Sequence, residues 1–159
     1  MTSTRNTLRR SIASLTTGAA LALTVVGCSS EPAATADQVV AKLTAKVTSA
    51  AAGAAITAKN DRNNLLGRPS GCTSAMTFTD SRVPAEQRDP DPLSTSNGGK
   101  VETFETADQA QARADYINKI AEAAPALAGE YNYVSGTSIV RVTRTLTPAQ
   151  AAEYEAALE

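Results

Sequence analysis

Lys100-Val101-Glu102-Thr103-Phe104-Glu105-Thr106-Ala107-Asp108-Gln109 changes its structural grammar halfway. Lys100 to Phe104 reads as a strand. Thr106 to Gln109 is T-x-x-Q, the pattern of a capping box. There the threonine hydroxyl accepts from the N3 amide and the glutamine reaches back to the N-cap amide. A strand running directly into a capped helix points to a mixed α and β domain.

The same helix-start signal recurs at Thr35-Ala36-Asp37-Gln38 and Thr147-Pro148-Ala149-Gln150. Asp37 and Asp108 fall in first turns, where the helix dipole favours acids. Pro148 takes N1, where its missing N–H is harmless. The pattern is helix punctuation, not an internal repeat. Helices are expected over Ala36 to Ala51, Ala107 to Ala123 and Pro148 to Leu158. The first presents Val40, Leu43 and Val47 at helical spacing. The second carries a stripe of Ala110, Ala114, Ile117 and Ala121, small enough to pack closely on a sheet, and Pro125 ends it. The third buries Ala151, Tyr154 or the stem of Glu155, and Leu158.

Strands fill the gaps. Ala75 to Asp80 alternates with Met76 and Phe78 on one face. Tyr131 to Val134 and Thr137 to Thr143 read as a hairpin about Ser135-Gly136. Ala55 to Ala58 leaves room for one further short strand. Pro84 to Gly99, with three prolines and Asn97-Gly98-Gly99, reads as a mobile loop. The expected fold is therefore α+β: a mainly antiparallel sheet of about four strands with helices packed on one face.

The N-terminus reads differently. Arg5, Arg9 and Arg10 precede an uncharged stretch, Ser11 to Val26, and no acid occurs before Glu31. This is the layout of a secretory signal peptide. Ser14, Thr16, Thr17 and Gly18 interrupt it, so it falls short of the roughly 20 mainly apolar residues of a membrane span. Leu23-Thr24-Val25-Val26-Gly27-Cys28 is similar to a bacterial lipobox. That resemblance implies diacylglycerol on the Cys28 thiol and cleavage after Gly27. The expected organisation is a signal peptide over 1–27, a lipidated Cys28 and short tether over 28–34, and one α+β domain over 35–159. The acyl chains would hold that domain on the extracytoplasmic face of the cell membrane without spanning it.

Removing Arg5, Arg9 and Arg10 from 15 Lys and Arg leaves 12 against 16 acids, a mature charge of about −4. That argues against a nucleic-acid partner. With Cys28 acylated, Cys72 has no intramolecular partner, so no disulfide framework exists.

The chain contains no histidine. Cys-His and Ser-His-Asp nucleophile systems are therefore excluded. One free cysteine does not make a zinc site, and Asp89 and Asp91 lack the spacing of a calcium loop. No catalytic residues, metal or cofactor are expected. Cys72 reads as a small buried residue. Arg68, Arg82, Arg141 and Arg144 are the components of a conceivable anion site, although surface arginine is commonplace. Asp80 and Glu102 are a conceivable acid–base pair.

The most distinctive stretch is Asn63 to Arg82, NNLLGRPSGCTSAMTFTDSR. Gly67 and Gly71 read as positions of positive φ or close backbone approach, and Pro69 forces Arg68 extended. Leu65 and Leu66 anchor the loop in the core. Asn64, Leu65, Leu66, Gly67, Arg68 and Pro69, with Arg82, form the candidate binding surface.

The run Asn63 to Pro69, then Phe78-Thr79-Asp80-Ser81-Arg82, Gly98 to Phe104, Ala112 to Ile117 and Leu146 to Glu155 resembles a family of small lipoproteins of actinobacteria and other Gram-positive bacteria. The family has no established activity, so the resemblance implies location more than mechanism. Its pattern has an aromatic in place of Cys72 and a lysine in place of Ala75, which implies that neither is a shared functional position. The expected function is a non-enzymatic binding or interaction module anchored through Cys28, taking an envelope protein or a small ligand. The alternative is a carboxylate-based hydrolase acting on cell-envelope material.

Overall fold

The computed structural model describes residues 33–124 and 129–159. The expected signal peptide, Cys28, most of the expected tether and Pro125 lie outside the described residues. Three α-helices and five strands follow in chain order: α1 (Ala36–Lys46), β1 (Ala50–Ile56), β2 (Ser74–Asp80), β3 (Gly98–Thr103), α2 (Ala107–Ala123), β4 (Glu130–Ser135), β5 (Ser138–Thr143) and α3 (Pro148–Leu158). The sheet order is β1-β2-β3-β5-β4, and every neighbouring pair is antiparallel.

All three helices start where the capping signals lie. In α2, Gln109 N donates to Thr106 Oγ1 and Thr106 N to Gln109 Oε1, both at 3.3 Å. In α3, Thr147 N donates to Gln150 Oε1 at 2.9 Å, and Thr35 N makes the same bond to Gln38 Oε1 before α1. Each box satisfies amides that a helix start otherwise leaves without partners. The hairpin between β4 and β5 turns at Gly136, whose φ is +53°.

Two expectations need correction. The first helix does not reach Ala51. It stops at Lys46, and the Ala-rich run Ala50–Ile56 becomes the edge strand β1, giving five strands rather than four. Alanine favours helix intrinsically, but a long backbone ladder to β2 outweighs that small preference. The ladder is broken by a bulge between Ala52 and Ala55, where Ala54 N bonds instead to Thr77 Oγ1 at 2.8 Å.

The second correction concerns layers. The helices do not share one face. α1 and α3 cover one side of the sheet, with Val40, Leu43, Phe78, Val101, Val142 and Tyr154 in a common core. α2 covers the other side, where Ala110 and Ala114 pack with Ala75, Phe104, Cys72 and Ile139. Successive residues Ile139 and Val140 point to opposite faces and are both fully buried. A strand covered on both sides loses the clean alternation that announces a single covered face, and the adjacent apolar pair Ile139-Val140 is the local mark of that.

The α1/α3 side is tightly fitted. The Phe78 and Tyr154 rings stack with centroids 5.0 Å apart. Gly99, paired with Phe78 across the sheet, leaves room for that ring: a Cβ there would collide with Phe78 and with the Arg141 carbonyl. The loop before β3 folds back on the other side. Thr77 Oγ1 lies 3.0 Å from the Pro92 carbonyl, and Asn97 Nδ2 donates to the carbonyls of Asp89 and Asp91.

Candidate functional site

The Asn63–Gly71 loop is built by a residue just upstream. Asp61 Oδ2 accepts from the amides of Leu65 at 2.6 Å and Leu66 at 2.8 Å, and its Oδ1 from Asn63 N at 3.0 Å. Burial pushes the Asp61 carboxyl up, but these amides outweigh it and hold it below the ordinary range. Gly67 is left-handed (φ +71°), as are Asn64 (+52°) and Ser70 (+59°). Gly71 has no space for a side chain, because a Cβ would meet the Leu65 carbonyl. Leu65 and Leu66 pack on the α2-side core as their sequence context implies.

Between this loop, α2 and the β4/β5 end of the sheet lies a cleft of about 830 Å³. That volume is within the usual range of small-molecule sites, roughly 300–1,000 Å³. Its walls are largely apolar: Leu65 from the loop, Phe104 after β3, and Ala112, Ile117 and Ile120 from α2.

Its floor is charged. Arg141 of β5 gives Glu130 of β4 a two-pronged ion pair, Nε to Oε2 at 2.8 Å and Nη2 to Oε1 at 2.9 Å. Its Nη1 donates to Glu102 Oε1 of β3 at 2.8 Å. Glu102 Oε2 accepts in turn from Arg113 Nε of α2 at 2.9 Å. The sheet register makes this possible, since Lys100, Arg141 and Asn132 stand opposite one another, placing Glu102 and Glu130 on the diagonals of Arg141. Burial pushes Glu102 up, yet the charges of Arg141 and Arg113 hold it below the usual carboxylate range. Lys100 is buried behind the floor, and loss of water together with nearby Arg141 lowers its pKa. Asn132, which lines the cleft, donates through Nδ2 to Asn118 Oδ1 at 2.9 Å. Its own Oδ1 is buried and has no hydrogen-bond partner among the described residues.

The structure divides the expected binding surface. Of Asn64, Leu65, Leu66, Gly67, Arg68 and Pro69, Leu65 lines the cleft, together with the loop positions Asn63, Ser70 and Gly71. Arg68 and Pro69 are exposed at the loop tip. Arg82 is remote in function. It clamps Asp80 through Nε and Nη2 and reaches Glu153 of α3 at 2.8 Å, on the α1/α3 side. It is a tie between β2 and α3 and does not join the loop.

The four arginines do not converge either. Arg141 lies in the cleft floor and Arg82 at the Asp80 tie, while Arg144 sits over the Tyr131 ring and donates to the Glu130 carbonyl. Asp80 and Glu102 occupy opposite faces of the sheet, so they form no acid–base pair. Burial raises the Cys72 thiol to about 11, and Glu102 adds to the shift. An attacking thiolate is accordingly suppressed.

Arg113, Glu130, Asn132 and Asp61 are the participants that sequence reading missed. Their signal was faint: Arg141 stands alone between Val140 and Val142, and Lys100 and Glu102 share one strand face. Charges on a strand face that a small-residue helix covers need partners in that layer.

Among the described residues no group of three or more His, Cys, Asp or Glu is placed to hold a metal ion. No described helix is long and apolar enough to cross a membrane. The fold and the cleft together define an α+β domain with helices on both faces of its sheet and a ligand-sized site on its α2 side. No family model, curated protein or solved structure matches the chain, so its site stands on its own geometry.

Proposed function

We propose that this chain is a lipid-anchored envelope lipoprotein, held through diacylglyceryl-Cys28 at the outer face of the cytoplasmic membrane. Its domain acts as a non-enzymatic binding module, and the resemblance to Gram-positive lipoproteins gives it that setting. The observation that carries the reading is the cleft: apolar walls over a floor whose charges are already neutralised in pairs. Such a site is shaped to hold a ligand.

The competing reading is a carboxylate-based hydrolase acting on cell-envelope material. It requires one carboxyl that keeps a proton near neutral pH and a second that stays ionised. In the cleft floor the two carboxylates are Glu102 and Glu130, bridged by Arg141. The two arginines around Glu102 favour its charged form, the opposite of what a general acid needs. That supports binding over hydrolysis.

The test is in-cell crosslinking of the tagged, lipid-anchored chain followed by mass spectrometry. Wild type is compared with Arg68→Ala at the loop tip, Ile120→Arg at the cleft wall and Cys28→Ala at the anchor. The reading expects Cys28→Ala to leave the membrane fraction and at least one of the other two variants to lose a specific partner or a co-purifying small molecule. A Cys28→Ala chain that stays on the membrane removes the anchor. Identical capture by wild type, Arg68→Ala and Ile120→Arg removes the binding module.

A further inference from the structure

The charge arithmetic of the cleft floor restricts what can sit on it. Two cationic side chains, Arg113 and Arg141, face two carboxylates, Glu102 and Glu130, and all four are joined at 2.8–2.9 Å. Lys100, the remaining nearby cation, is 9% exposed and does not line the cleft. An anionic head would have to draw an arginine from its carboxylate. Asp108, exposed at the start of α2, also lines the cleft, but a cationic head on the floor would meet Arg113 and Arg141. Separating either buried pair is strongly unfavourable, because it leaves an uncompensated charge away from water.

A second, independent feature points to the head group. Asn132 Oδ1 is a buried acceptor without a donor among the described residues, on a residue that lines the cleft. Buried polar atoms are overwhelmingly hydrogen-bonded, and a lone acceptor is an opening for a ligand N–H or O–H. The walls above it are aliphatic, with Leu65, Ala112, Ile117 and Ile120 contributing and Ile120 41% exposed.

Resting on the binding-module reading above, we infer that the cleft takes an electrically neutral amphipathic ligand. Its aliphatic body lies along Leu65, Ile117 and Ile120, and an uncharged hydrogen-bond-donating head, of amide or hydroxyl type, meets Asn132 Oδ1. The class excludes free fatty acids and phosphorylated heads.

Three probes with one aliphatic chain and different heads test this: oleamide (neutral, N–H donor), methyl oleate (neutral, no donor) and oleate (anionic). Binding to the purified full-length chain is measured by native mass spectrometry and titration. Oleamide is expected to bind roughly threefold to tenfold more tightly than methyl oleate, the worth of one hydrogen bond, and more tightly than oleate. Asn132→Leu is expected to bring oleamide down to the level of methyl oleate. Ile120→Arg, at an exposed position that leaves the core intact, is expected to weaken all the probes.

Oleate as the tightest ligand, lost in Ile120→Arg, would overturn the neutral class while leaving the cleft a binding site. Absence of binding, or binding indifferent to Ile120→Arg, would overturn the inference outright, and the crosslinking comparison would then judge the module separately. Oleamide preference that survives in Asn132→Leu would overturn the role given to Asn132.

Discussion

Tyr154 Oη donates a 2.6 Å hydrogen bond to Asp80 Oδ2, joining the middle of the last helix to the end of β2, 74 residues earlier. Both side chains are fully buried. Asp80 also accepts from Ser49 Oγ, from the Arg82 backbone amide and from the Arg82 guanidinium. α3 is thereby docked by a buried carboxylate as well as by apolar contact. Tyr154→Phe keeps the ring stack on Phe78 but removes one donor to a buried charge. It is expected to destabilise the fold by about 1.5–3 kcal/mol, the range for hydrogen bonds to charged groups. Urea unfolding checks this as a lowered midpoint with an unchanged slope. A midpoint equal to wild type would show that the bond contributes nothing.

Stability is expected to be flat from about pH 6 to 8 and to fall below about pH 5. With no histidine in the chain, no side chain of ordinary pKa titrates in the plateau. Asp61, Asp80 and Glu102 all have folded-state pKa values below their ordinary ones. For Asp80, burial acts upward, but the Arg82 and Tyr154 hydrogen bonds more than reverse it. A lowered folded pKa means that the unfolded chain takes up protons first on acidification. The stabilisation is complete above the unfolded values near 4, begins to fall there, and is lost as pH falls on through the lower folded values. Thermal unfolding across pH 3–8 measures this, and a maximum below pH 5 would contradict it.

Cys72 is expected to resist iodoacetamide at pH 8 in the folded protein and to react on unfolding. Its side chain is 3% exposed, and burial with nearby Glu102 and Asp61 raises the thiol to about 11. Only the thiolate attacks, and at pH 8 almost none is present. Labelling read by mass with and without urea decides the point. Rapid labelling of the native chain would place Cys72 outside the core.

Asp61→Ala is expected to loosen the Asn63–Gly71 loop without unfolding the domain. Three amides lose their acceptor, and left-handed Asn64, between Asn63 and Leu65, loses what holds it in that conformation. Asp61→Asn retains one acceptor oxygen and should lie between. Hydrogen exchange at Leu65 and Leu66 is the measurement: protection there should drop at least tenfold in Asp61→Ala while β3 and β5 remain protected. Unchanged exchange at both leucines would remove Asp61 from the loop's support.

The local elements were largely legible in the primary structure. The three T-x-x-Q signals start the three helices, and Ser135-Gly136 makes the hairpin turn. These features depend on residues within four positions of one another, so short-range chemistry suffices to write them. Of the Ala50–Ile56 strand only the end, in the short strand expected over Ala55 to Ala58, was legible, because nothing in a run of Ala and Gly separates helix from strand until β2 supplies a ladder.

The site was legible only in part. Leu65 and the glycines of the loop follow from their own chemistry. Glu102, Arg113, Glu130 and Arg141 are spread along the chain, with Glu102 and Arg141 39 positions apart, and no spacing rule links them. Their meeting depends on the insertion of β5 between β3 and β4, and on α2 crossing the face that α1 and α3 leave open.

The amino-acid sequence by itself determined where helices begin, which turns form and which chemistry a chain without histidine forgoes, because each is set by residue type and near neighbours. Only the tertiary structure decided that Arg82 ties α3 to β2, that the helices occupy both faces, and that a neutralised charge network floors a cleft. Those outcomes rest on strand order and layer packing, where residues distant in the chain must satisfy one another's charges and hydrogen bonds away from water.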